Sequence, residues 1–231
     1  MQLELPALDT TTLQRIGGAL GSNPAGIFQD DKDRRYYVKS LESVAHARNE
    51  MLAARLYELA GAPTLTYVKV KAPDQVATEL VKLDKKHVSQ LSESERKQAQ
   101  RWFGVHAWTA NWDAAGFTGD NQGTLRGTVL TLDLGGALEF RALGVPKGKL
   151  FGTSVDELTT LRTNPDNSYA VRLFGDMSPA DICSAILVVV QIPDEQVRKV
   201  ILDHGGRPAL ADKMIARKAD MARQLAAFYG R

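Results

Sequence analysis

The stretch from Trp108 to Arg141, WTANWDAAGFTGDNQGTLRGTVLTLDLGGALEFR, concentrates side chains that could do chemistry together. Asp113 falls in a polar turn, Asn121 lies further along the same loop, and Asp133 ends the β-like run 128–132, just ahead of Gly135 and Gly136. An aspartate can orient a hydroxyl nucleophile and take its proton, while an amide oxygen and a second carboxylate can hold Mg²⁺ against nucleotide phosphates. The glycine pair would let backbone and phosphate approach closely. Asx and Gly residues also crowd loops for turn geometry alone, so the elements around this stretch have to decide between the two readings.

Upstream, IGGALGSNPAGIFQDDKDRRYYVKS runs glycine-rich sequence into two β-like segments, 26–29 and 35–40, joined by the polar turn 30–34. Gly17, Gly18, Gly21 and Gly26, with Ser22 and Asn23, leave backbone N–H groups able to face an anion, although the spacing is not that of a P-loop. Lys39 ends the second segment, with Tyr37 and Lys39 on one face and Tyr36 and Val38 on the other by the period of two. The segment 43–60 follows as a helix stopped by Gly61 and Pro63. Within it Glu50 sits among alanines, so the helix can pack close to a sheet and the carboxylate can meet Lys39. Glu42 and Glu58 are rival partners.

The remaining elements complete two lobes. Residues 64–71 alternate as a strand and 77–83 suggest another, leading into a polar join at 84–90. Ser92 and Glu95 form a capping box for a helix expected to run to about Thr109. Beyond Arg141, ALGVPKGKLFGTS carries Lys147 and Lys149 in a loop suited to docking a substrate or to solubility. From Ser154 onward the pattern is helical, with elements over 182–190, 194–203 and 208–229. The expected domains are 1–90 and 91–231.

With 231 residues, 44% hydrophobic and 24% charged, the chain can bury a core without covalent staples. A net charge of +2 supplies no general field for nucleic acid or an acidic membrane. The single cysteine, Cys183, excludes an internal disulfide, and its apolar neighbours read it as a buried small side chain. His46, His87, His106 and His204 lack metal-site spacing. The opening MQLELPALDTTTLQ has no apolar core to make it a secretory signal, and AILVVVQI is too short to span a bilayer, so the expected location is cytoplasmic, in the producing cell or in a host.

The order of glycine-rich hairpin, strand lysine, helix glutamate, join, helix, Asp/Asn loop, strand and Asp-x-Gly-Gly resembles the protein-kinase-like fold. It is most similar to the atypical branches, which include the HipA, CotH, lipid and small bacterial effector kinases. Asn111-Trp112-Asp113 followed by Asn121 is similar to the catalytic loop of the CotH group. The resemblance covers roughly residues 13 to 140. It implies an α+β, bilobal fold with a small antiparallel-sheet N-lobe and a helical C-lobe, and an ATP:Mg²⁺ phosphotransferase acting on a hydroxyl of a protein, or of a lipid or small molecule. Lys39 would contact the nucleotide phosphates, Glu50 would hold Lys39, Asp113 would be catalytic, and Asn121 and Asp133 would bind Mg²⁺. The glycine-rich loop, with Gly21, Ser22, Asn23 and Gly26, would lie over the nucleotide. The chain departs from ordinary protein kinases in having no His-Arg-Asp triplet and no Ala-Pro-Glu element. Asn121 lies eight residues after Asp113, a wider interval than usual, which leaves Asp120 as a rival ligand. Nucleotidyl transfer on the same fold, or a nucleotide-binding scaffold without turnover, are the alternative functions.

Overall fold

The computed structural model describes residues 7–20 and 24–229. Its first part is a five-stranded antiparallel sheet in the order β1-β2-β3-β5-β4, made of β1 (Gln14–Gly17), β2 (Ala25–Gln29), β3 (Arg35–Ser40), β4 (Tyr67–Val68) and β5 (Gln75–Glu79). The alternation in RYYVKS sorts the two faces of β3. Tyr36 and Val38 pack with Ala77 in a small core closed by Phe28, Val68 and Leu8, while Tyr37 and Lys39 face a cleft. Packed on the sheet is α1 (Val44–Leu59), capped by the Ser43 hydroxyl on the His46 N–H and ended by Gly61 at φ 74°. Its buried residues lie nearly all round, because the sheet covers one side and α7 (Asp194–Asp203) another.

Three upstream expectations need correction. The start of the glycine-rich lead-in is itself in a strand, β1, which pairs with β2 through an irregular register at Arg15 and Gly17, where the Arg15 guanidinium donates to the carbonyls of Gly17 and Ala25. The strand expected over 64–71 pairs regularly only at Tyr67 and Val68. Its start is drawn elsewhere: the Thr64 hydroxyl donates to the Thr131 carbonyl and the Thr131 N–H to the Pro63 carbonyl, which ties this segment to a strand far along the chain. The strand expected over 77–83 is β5, shifted toward the N-terminus.

The second part is helical. The capping box of Ser92 and Glu95 starts α2 (Glu93–Arg101), but the helix expected to reach Thr109 breaks at Trp102, and α3 (Phe103–Trp108) follows, buried at every residue. After α3 come β6 (Gln122–Leu125) and β7 (Thr128–Thr131), a hairpin turned by Arg126 and Gly127, both at positive φ. Then follow α4 (Glu157–Thr163), α5 (Ser168–Phe174), α6 (Pro179–Val190), α7 and α8 (Pro208–Tyr229). A second capping box, Ser178 with Asp181, and Pro179 at the first helical position open α6, which buries Cys183. Gly104 lets α3 press on the backbone of α6. From α8 the fully buried Arg217 donates to four carbonyls, those of Ala107, Trp108, Gly152 and Ser154, and pairs with Glu157 at 2.8 Å. The end of α3, from which the loop to Asp113 departs, is thereby held in place.

Among the described residues no single helix is long and apolar enough to cross a membrane, and the apolar pair Pro165–Phe174 and Pro179–Val190 bends by 93°.

A β-carbon on Gly104 would lie 2.1 Å from the Ala185 carbonyl oxygen, a backbone atom that cannot turn aside. Gly104→Ala is expected to cost about 1–3 kcal/mol by forcing α3 and α6 apart. An unaltered urea midpoint would show that this contact does not set the separation of the two helices.

Candidate functional site

The loop between α3 and β6 is built to aim one carboxylate. Ala110, at φ 49°, turns the chain out of α3, and the buried Asn111 amide donates to the Tyr57 hydroxyl on α1 at 2.9 Å. That hydroxyl bonds His106 Nδ1 in turn, and burial holds the His106 imidazole neutral, at about 3. Asp113 then sits with Oδ1 accepting from the Phe117 N–H at 3.0 Å and Oδ2 accepting from Asn121 Nδ2 at 2.8 Å. Asn121 also donates to the Asp113 carbonyl, so its amide nitrogen is spent on Asp113 and its oxygen is left for the cleft. Desolvation, reinforced by the charges of Asp133 and Asp120, raises Asp113 to about 6 against these two hydrogen bonds. That value suits a group exchanging a proton near neutrality.

Asp133 follows β7. Its Oδ1 accepts the Gly135 N–H at 2.8 Å and meets Lys39 Nζ at 3.3 Å. Lys39 Nζ lies 2.5 Å from Glu50 Oε1, and the Tyr67 hydroxyl donates to that same oxygen at 3.0 Å. Residues of β3, of α1 and of the turn after β7 therefore meet at one ammonium. Burial alone would strip its charge, but Glu50 and Asp133 more than reverse that, and Lys39 is held well above its ordinary range. Glu50 is raised by burial and by Asp133, with Lys39 and Tyr67 pulling back. Asp133 is opposed by burial yet ends below its ordinary range because of Lys39 and the Gly135 N–H. The rivals for Lys39 lie elsewhere, with Glu58 paired to Arg55 and Glu42 on the outer face near Gly144.

Both halves line one cleft of about 1030 Å³, whose walls include Lys39, Glu50, Tyr67, Asp113, Asn121, Asp133 and Gly136. A β-carbon on Gly136 would come within 3.1 Å of Asp113 Cβ, so the glycine allows the two aspartate loops to touch. Asp120 also reaches the cleft, but its Oδ1 accepts from Thr118 and folds back over Gly116. Of the glycine-rich residues, Gly21, Ser22 and Asn23 lie outside the described residues. Gly26 pairs with Val38 inside the sheet and is not part of the cleft wall, whereas Leu20 is. No group of three or more His, Cys, Asp or Glu with metal-binding geometry occurs among the described residues. The donor set nevertheless fits a hard cation that keeps several waters, since Asp133 Oδ2 and Asn121 Oδ1 are oxygens with no hydrogen-bond partner among the described residues.

The chain overlays solved structures of known kinases. The crystal structure of the Helicobacter pylori proinflammatory kinase CtkA aligns over 96% of this chain and 99% of its own, with 14% identity and a TM-score of 0.65. The fold is protein-kinase-like. Weaker likenesses are to the Golgi casein kinase with Mn/ADP bound (9% identity, 94% of this chain, 71% of that one, TM-score 0.47) and to choline kinase LicA from Streptococcus pneumoniae (9%, 94%, 93%, 0.39). No protein-family model matches this sequence, and no curated protein is significantly similar to it.

Several residues of this site carried no signal in the sequence. Tyr67 read only as part of an alternating strand. Asn49, one residue before Glu50, donates to the Ala137 carbonyl and accepts from the Glu139 N–H, which fastens the segment after Asp133 to α1. Lys147, expected in a docking or solubilising loop, is instead buried, and its ammonium donates to the carbonyls of Ala110, Gly136 and Leu138. Lys149, two residues on, is exposed as expected. Glu157 takes the Trp112 indole N–H as well as Arg217, so the residue before Asp113 is oriented by α4.

Removing one partner of a buried ion pair leaves an uncompensated charge. Lys39→Met is therefore expected to cost about 3–5 kcal/mol, and Lys39→Met/Glu50→Gln to recover much of that loss. Equal destabilisation of single and double variants in denaturant would show that the charge pairing is not what holds α1 on the sheet. For Asp113 the sign follows from a folded value of about 6 against an ordinary 3.8: its stabilising contribution is complete below about pH 4 and is lost as pH rises through 6. Asp113→Asn should accordingly melt above the wild type at neutral pH, with the gap closing below about pH 4. A gap independent of pH would contradict the raised value.

Proposed function

We propose that this chain is an ATP:Mg²⁺-dependent phosphotransferase, an atypical kinase that transfers a phosphoryl group to a hydroxyl on a protein. The observation that carries this reading is the convergence of Lys39, Glu50 and Asp133 on one wall of a cleft whose facing loop presents Asp113 and Asn121. Asp133 Oδ2 and Asn121 Oδ1 would hold the magnesium ion. Bound there, the ion supplies neutralisation of phosphate charge, which a loose, highly charged transition state requires. Lys39, kept protonated by its two carboxylates, would bind phosphate oxygens. Asp113, fixed by Phe117 and Asn121, would orient the acceptor hydroxyl and take its proton, so the ionised form is the working one. A protein acceptor is favoured by the exposed apolar side chains that the cleft wall carries, among them Phe117, Leu143 and Val145. On this reading the boundary between the lobes falls near residue 90 and Leu20 lies on the nucleotide side of the cleft.

Calorimetric titration of ATP with and without Mg²⁺, combined with transfer from γ-labelled ATP, tests the assignment. Asp133→Ala and Asn121→Ala should lose Mg²⁺-dependent binding while staying folded. Asp113→Asn should keep that binding and lower turnover by about 10²–10⁴-fold. Wild-type turnover should rise with pH through about 6, as Asp113 ionises. Label carried only from α-labelled ATP would indicate nucleotidyl transfer. ATP binding without turnover of either kind, on the protein itself or on an added protein mixture, would indicate a nucleotide-binding scaffold.

A further inference from the structure

Backbone strain points to a role for a buried residue beside the cleft. Four non-glycine residues have positive φ among the described residues: Asp33, Ala110, Arg126 and Leu138. Asp33 and Arg126 sit in hairpin turns, where such angles are ordinary. Ala110 (φ 49°) and Leu138 (φ 56°) do not. Both are fully buried, one just before Asp113 and the other just after the Asp133-Leu134-Gly135-Gly136 turn. A left-handed alanine or leucine persists only where surrounding contacts over-determine it, and such residues gather at functional sites.

The over-determining contact is shared. Lys147 Nζ donates to the Ala110 carbonyl at 2.8 Å, the Leu138 carbonyl at 2.9 Å and, between them, the Gly136 carbonyl at 2.8 Å. In the protonated side chain all three ammonium hydrogens are thereby used, each on a buried acceptor, 5.0 Å from the centre of the Trp112 ring, while burial pulls Lys147 down to about 7. A further tie, from the Leu138 N–H to the Thr109 carbonyl at 2.7 Å, closes the same junction. The ammonium is thus bonded to the loop that carries Asp113 and to the loop that carries Asp133, and to no carboxylate. Losing it would leave the carbonyls of Gly136 and Leu138 without any donor among the described residues.

We propose that Lys147 is a positioning residue that clamps the Asp113 loop to the Asp133 loop, holding Ala110 and Leu138 in their strained conformations so that the two carboxylates keep a working separation. The lysine touches neither aspartate. Its effect on rate is inferred on the phosphotransferase reading above, whereas its effect on the loops is independent of it.

Lys147→Met keeps the aliphatic stem and removes the donors. The expected outcome is a fall in kcat of about 10²-fold, as for a reacting group misplaced by about 1 Å, with the KM for ATP·Mg²⁺ little changed. Amide hydrogen exchange at Gly135 and Leu138 should quicken while the amides of the five-stranded sheet stay protected. Because glycine adopts positive φ freely, Lys147→Met/Ala110→Gly should regain part of both the protection and the turnover, a rescue that a merely space-filling lysine would not allow. Unchanged exchange at Gly135 and Leu138, or loss of protection throughout the protein in equal measure, would overturn the proposal. Should Lys147→Met fail to fold, scalar coupling across hydrogen bonds from the wild-type Lys147 ammonium to the three carbonyl carbons decides the matter, its absence counting against the clamp. A wild type that transfers no phosphoryl group refutes the phosphotransferase reading, and the exchange and coupling data then judge the clamp alone.

Discussion

The arrangement depends first on one buried ammonium. Lys39 comes from a central strand, Glu50 from the next element, the helix packed on the sheet, and Asp133 from the end of a hairpin 94 residues beyond Lys39. In a dry interior each of these charges is costly by itself, and each becomes tolerable through the others. The ion triad therefore ties α1 to the central strand and both to the turn after β7 at the cleft. Tyr67 completes it by giving Glu50 a neutral donor, so that the glutamate is satisfied without a second cation.

A second constraint is the satisfaction of irregular backbone. The segments between α3 and β6 and between β7 and α4 have few ladder partners of their own, and much of that backbone is buried. Buried carbonyls need donors. Two cations and one amide supply many of them: Arg217 takes four carbonyls, Lys147 three, and Asn49 holds 137 and 139. Asn49 and Glu50 are neighbours on α1, so the helix that sets the Lys39 pair also sets the loop after Asp133. The same links leave Asp113 half-buried near another carboxylate, which raises its proton affinity.

How much of this was readable beforehand follows from the range of each interaction. Local signals were reliable: the capping box at Ser92, the glycine stop at Gly61, the alternation in RYYVKS and the turn at 30–34 all depend on residues within a few positions of one another. Where two local preferences competed, tertiary contacts decided. The alternating segment 64–71 lost its first residues to pairing with Thr131, and the α2 pattern broke at Trp102 so that Gly104 could meet α6.

For the site, the sequence by itself determined the chemical inventory and its order: a strand lysine, a helix glutamate, an Asp/Asn loop and an aspartate before two glycines. Residue type and short spacing encode those. Only the tertiary structure decided which glutamate meets Lys39, that Asn121 spends its amide nitrogen on Asp113, and that Lys147 turns inward while Lys149 stays in solvent. Each of those outcomes depends on desolvation and on donors or acceptors brought from residues far along the chain, and a lysine in a glycine- and proline-rich segment looks the same on paper whether water or three buried carbonyls receive its charge.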